Sequence, residues 1–73
     1  MIKDREVAAQ VSSLMLELGA RLNDSVELTK IRCSAAEFEA YRAVVGRIMG
    51  EMLLEVMNPI YAQHPDLKPT ELE

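Results

Sequence analysis

A single cysteine, Cys33, gives the chain nothing within itself to pair with, which excludes a disulfide framework. His64 is the only imidazole, so the four or so nitrogen and sulfur ligands of a structural zinc site cannot come from one chain. No cofactor is expected. A lone thiol fits a reducing compartment, and the expected location is the cytoplasm. Long apolar runs are also missing. Residues 7–16 carry no charge, but they include Gln10, Ser12 and Ser13 and fall far short of the roughly 20 apolar residues a membrane span needs. The opening Met1-Ile2-Lys3-Asp4-Arg5-Glu6 is charged and runs straight into an amphipathic pattern, unlike a signal peptide. Neither an internal repeat nor a low-complexity tract is present.

Positive charge is scarce in the second half. Residues 1–32 balance five basic against five acidic side chains, whereas residues 33–73 hold three basic against seven acidic. An acidic second half is a poor footprint for nucleic acid or anionic lipid, so neither is expected as a partner. Arg21, Lys30, Arg32, Arg42 and Arg47 could touch phosphates only if the fold gathered them. Catalytic groupings are missing as well. Cys33 has no histidine near it in sequence and reads as a passive thiol in a turn. Glu51 and Glu55 share a helix face, but the Glu-x-x-His of di-metal bundles is absent, so they read as a solvated acidic face. His64 and Asp66 lie between prolines and read as a polar turn rather than a metal half-site. The chain is therefore not expected to be an enzyme.

What is present is helical patterning. Between residues 3 and 31 there is no proline, and Val7, Val11, Leu14, Leu18 and Leu22 recur at steps of three and four, with Ala8, Met15 and Val26 widening the stripe. Asp4 and Glu6 at the start and Lys30 and Arg32 at the end suit the helix dipole, and Glu17 and Arg21 are spaced as an i, i+4 pair. Asn23-Asp24-Ser25 are three poor helix formers and could interrupt the run. Ser34-Ala35-Ala36-Glu37 then spells a capping box, so a second helix starts at Ala35 after a very short connection. Two helices so joined form an antiparallel hairpin. Phe38, Tyr41, Val45, Ile48, Met52 and Val56 carry the second stripe to about residue 57. Asn58-Pro59 either stops this helix or kinks it on to about residue 63. Residues 64–73 read as a turn and an extended C-terminal tail.

Gly46 and Gly50 interrupt the second helix at a cost of about 1 kcal/mol each against alanine. On a helical wheel they form, with Ala43, a small-residue shoulder beside the large stripe. Phe38, Val45, Met49, Met52 and Val56 make up that stripe, and Leu53 and Ile60 lie between it and Gly46. The whole apolar arc spans about 220°, more than one partner helix covers. A chain of 73 residues also builds only a marginal core. The expected fold is thus a single all-α domain, a hairpin that dimerises into a four-helix bundle. Ala43, Gly46, Met49, Gly50, Leu53, Met57 and Ile60 are expected to form the dimer or partner interface. In length and helix count this resembles the small plasmid-encoded RNA-binding hairpin dimers, though no motif is shared. The expected role is a dimeric adaptor, regulator or inhibitor acting on another protein; the alternative is a nucleic-acid-binding hairpin dimer.

The capping box sets the hairpin register. Ser34→Ala is expected to cost about 0.5–2 kcal/mol, measured as a shift of the denaturation midpoint.

Overall fold

The computed structural model describes residues 1–69. Helix α1 runs over Arg5–Arg32 and helix α2 over Ala35–Glu51. The backbone then widens into a π-helical segment, Met52–Met57, and resumes as helix α3, Asn58–Gln63, before a 3-10 turn at Pro65–Leu67. Among the described residues there is no strand.

Each boundary has a local cause. Asp4 stands just outside α1 in extended geometry, and its carboxylate accepts from the amides of Glu6 and Val7 at 3.0 and 3.2 Å. The helix therefore begins after Asp4, which caps it. Ser34 Oγ accepts from the Glu37 amide at 3.2 Å while the Glu37 carboxylate accepts from the Ser34 amide at 3.1 Å, which closes the capping box. These bonds hold the Glu37 carboxyl below the usual carboxylate range, the backbone bond from Ser34 first and its hydroxyl second.

Asn23-Asp24-Ser25 does not interrupt α1. Ser25 Oγ donates its one proton to the Leu22 carbonyl at 2.7 Å, so the Tyr41 hydroxyl, 2.7 Å away, donates to Ser25. A cross-helix bond thus engages the residue that could have broken the helix.

The facing line of α1 is Ala8, Ser12, Met15, Gly19, Leu22, Val26 and Thr29, alternating steps of four and three, and every one of these is buried or half-buried. The expected stripe is rotated from this line. Val7, Leu14 and Leu18 are 46, 48 and 40% exposed. The cause is that the returning half of the hairpin packs along the line containing the small residues Ala8, Ser12 and Gly19, α3 on Ala8 and Ser12 and α2 beside Gly19. Hydrophobic spacing alone passes over Ser12 and Gly19.

The π-helical segment decides where the chain's end goes. Asn58 N–H reaches back five residues to the Leu53 carbonyl, and Pro59 follows with no N–H to offer. An extra residue in a turn sets back everything after it by about 100°. Continued as a plain α-helix, Met57 and Tyr61 would point about 120° and 160° from Val45; set back, they fall about 20° and 60° from it, with Ile60 about 40° to the other side. All three then face α1.

Ile60 is fully buried, with Met57, Tyr61 and Ala8 around it and Ile2, Val11, Met15, Val56 and Leu67 packed outside. Burying Ile60 alone contributes about 1.5–3 kcal/mol. The main core therefore sits at the open end of the hairpin, away from the interhelical turn. The segment after α3 opens with a turn, in which Leu67 N–H donates to the His64 carbonyl at 3.0 Å and Leu67 packs on the core, and Lys68 beyond it is extended. Residues 70–73 of the expected tail lie outside the described residues.

Ser12 is buried, and its hydroxyl meets the Tyr61 hydroxyl at 2.6 Å. Tyr61→Phe is expected to cost about 1–3 kcal/mol by leaving Ser12 unpartnered, and adding Ser12→Ala should recover part of that loss. Urea denaturation of the single and double variants measures the coupling.

Candidate interaction surface

Two helices side by side make a thin body. The molecule measures 44 × 20 × 16 Å, and its radius of gyration is 14.4 Å, where a compact domain of this length would have about 11 Å. It exposes 5314 Å², about 800 Å² more than a monomer of its mass ordinarily does. Large apolar side chains account for much of the exposure, on both flanks of the helix pair.

One flank is a groove of about 480 Å³ lined by Met15, Leu16, Gly19, Ala20 and Asn23 of α1 and by Met49, Gly50, Met52, Leu53 and Met57 opposite. Its walls are almost entirely apolar. The wheel places Val7, Leu14 and Leu18 of α1 with Val44 and Ile48 of α2 on the other flank, and all five are exposed.

The expected interface residues divide. Met49, Gly50, Leu53 and Met57 line the groove, Met57 as a nearly buried part of its floor. Ala43 and Gly46 are exposed beside it. Ile60 leaves the set, because the π-helical segment turns it wholly into the chain's own core. Leu16, Gly19 and Ala20 were missed. They belong to the first helix, and their one sequence signal is the small-residue pair Gly19-Ala20.

The glycines answer to space rather than to backbone geometry, since none has a positive φ. A Cβ built on Gly19 would lie 3.6 Å from the Met49 terminal methyl, an ordinary packing distance. A Cβ on Gly46 or Gly50 would meet nothing within 4 Å. Within one chain, the close helix contact therefore involves Gly19, while Gly46 and Gly50 face open space.

The polar candidates are engaged elsewhere or dispersed. His64 Nε2 donates to the Ile2 carbonyl at 2.8 Å, and Arg5 Nε donates to Asp66 at 2.9 Å, so neither member of the His64–Asp66 pair is a free ligand. Arg42 donates to Glu39 at 3.2 Å and lies 5.9 Å from the Phe38 ring centre. Glu17 and Arg21, spaced for an ion pair, are not joined. On the wheel Arg21 and Arg47 point outward from opposite edges of the hairpin, one from α1 and one from α2. Cys33 is exposed in the interhelical turn. Among the described residues no three of His, Cys, Asp and Glu converge on a point that could hold a metal ion, and no helix is long and apolar enough to cross a membrane.

No protein-family model, curated protein or solved structure matches the chain.

Arg5 holds the Asp66 carboxyl below the usual carboxylate range, chiefly by its hydrogen bond and further by its charge. A lowered native pKa contributes stability that is present above the unfolded pKa and lost as pH falls through the native one. NMR titration is expected to find Asp66 below an ordinary aspartate, and Arg5→Ala should return it toward the usual value.

Proposed function

We propose that the protein acts without catalysis, by contact with other protein surfaces, and that its working form is a homodimer assembled as a four-helix bundle. A dimeric adaptor, regulator or inhibitor in the cytoplasm is the role this supports best. The observation that carries the reading is the set of large apolar side chains exposed on both flanks of the helix pair. The total surface is also about 800 Å² beyond the monomer norm, similar to what one partner contributes to a standard protein interface. Apolar flanks on both sides of a thin hairpin allow one to be closed by a second copy and the other to be offered to a different protein. Nucleic acid is the weaker reading, because the net charge of −4 and the dispersed arginines supply no basic stripe.

The test uses the whole chain. Thermal unfolding is expected to shift upward with protein concentration, and light scattering to give twice the chain mass. A midpoint fixed across a hundredfold dilution, together with a monomer mass, would overturn the dimer. Gly46→Leu and Gly50→Leu sharpen the test, since a single chain leaves open space at both. At least one is expected to weaken the dimer, by overpacking that costs about 1–3 kcal/mol. If both stay dimeric and grow more stable, the glycines lie outside the contact.

A further inference from the structure

The flank opposite the groove carries one pattern twice, with its charges exchanged between the helices. Counted from the seam residues Met15 and Val45, Leu14, Glu17, Leu18 and Arg21 of α1 stand at the same wheel angles as Val44, Arg47, Ile48 and Glu51 of α2. Each set is spaced i, i+3, i+4 and i+7. The four apolar members are between 40 and 48% exposed. The charged members stand toward the two outer edges, acid before base on α1 and base before acid on α2. Among the described residues, neither Glu17 and Arg21 nor Arg47 and Glu51 are joined within the chain. The four α2 residues line a hollow of about 180 Å³. Their spacing is that of the hole that receives a knob from a facing helix.

The hairpin holds both sets at one level. A Cβ on Gly19 would touch Met49. Gly19 is midway between Glu17 and Arg21, and Met49 is midway between Arg47 and Glu51. The Ser25–Tyr41 bond gives the same register to within about half a turn.

A twofold axis through that level, crossing the helices in the plane of the flank, lays α1 on α1 and α2 on α2, each antiparallel. Glu17 of one copy then meets Arg21 of the other, and Arg47 meets Glu51, each pairing occurring twice. This is the reciprocity of an isologous contact. Leu18 and Ile48 lie one residue from the axis, so those of both copies gather at the centre, Ile48 beside the hollow. An axis parallel to the helices would set α1 on α2 instead. It would bring Glu17 level with Glu51 and Arg21 level with Arg47, like charge on like. Charge therefore selects both the occupant and its orientation.

We propose that a second copy of the chain docks on this flank, α1 antiparallel on α1 and α2 antiparallel on α2. Leu18 and Ile48 of both copies fill the centre, and Glu17–Arg21 and Arg47–Glu51 pairs close the edges. The proposal rests on the same reading of the apolar flanks as the dimer above, but Gly46 and Gly50 lie on the other flank, so the two contacts are separate. Copies joined through both flanks form a row.

The experiment is disulfide trapping in the full chain with Cys33→Ser as background. Leu18→Cys and Ile48→Cys are made as separate chains and oxidised in glutathione buffer. Ser13→Cys, exposed on another side of α1, is the control. Covalent homodimers of both Leu18→Cys and Ile48→Cys, with none of Ser13→Cys, are the expected result. No homodimer of either, or equal trapping of the control, would overturn the contact. Light scattering separates this contact from the one at the glycines. The background chain is expected to rise beyond a two-chain mass as its concentration increases. A two-chain limit with trapping at both positions would keep the flank contact and remove the glycine contact; a two-chain limit without trapping would do the reverse. A single-chain mass at every concentration would remove both. As a second measurement, Arg21→Glu is expected to weaken association through the flank about tenfold at low salt, read as the yield of trapped Ile48→Cys. Adding Glu17→Arg is expected to restore it, because the pair re-forms with its signs exchanged. Equal yields from the three chains would overturn the charge pairing.

Discussion

The wide turn at Met52–Met57 is the constraint on which the rest of the fold depends. Without it, the chain beyond Glu51 would keep its helical phase and carry Met57 and Tyr61 away from α1. With it, Met57, Ile60 and Tyr61 come round onto the first turns of α1, and the core of the described residues forms there. The wide turn directly precedes Pro59, whose ring would crowd the carbonyl four residues back in a regular helix. A π-turn relieves that crowding without ending the helix. The Ser12–Tyr61 bond, the packing of Leu67 and the Arg5–Asp66 pair all lie downstream of this rotation.

A hairpin closed in this way is secured at one end and thin along its length. At the turn end the Ser25–Tyr41 bond joins the helices and the Ser34–Glu37 box caps α2, while Leu28 and Ile31 there remain exposed. Between the two ends the helices touch along a line that includes Ser12 and Gly19. Small residues let the axes approach, but they bury little apolar surface of their own. The larger side chains are pushed to the flanks: Leu16 and Leu53 to one side, Leu14, Leu18 and Ile48 to the other. The surface available for association thus follows from the choice of small residues for the seam. That links the packing of one chain to the proposed packing of two.

The sequence by itself determined the local features of this protein. Ser34-Ala35-Ala36-Glu37 marked a helix start because a capping box needs only four adjacent residues, and the short connection after Arg32 required an antiparallel hairpin. Spacing of apolar residues located both helices for the same reason: their hydrogen bonds are local. The rotational setting of α1 was not legible. Its apolar arc is wide, and the side α2 settles on is fixed by Ser12, Gly19 and the two tyrosine hydroxyls, which meet only when distant segments come together. Ile60 shows the same limit. Its wheel position was counted in regular turns, and the π-turn ahead of Pro59 shifted that count by one residue. Whether proline stops a helix, kinks it or widens the turn before it depends on what the following residues can pack against. Here that is Ala8 and Ser12, roughly fifty residues earlier in the chain, so only the tertiary structure could decide it.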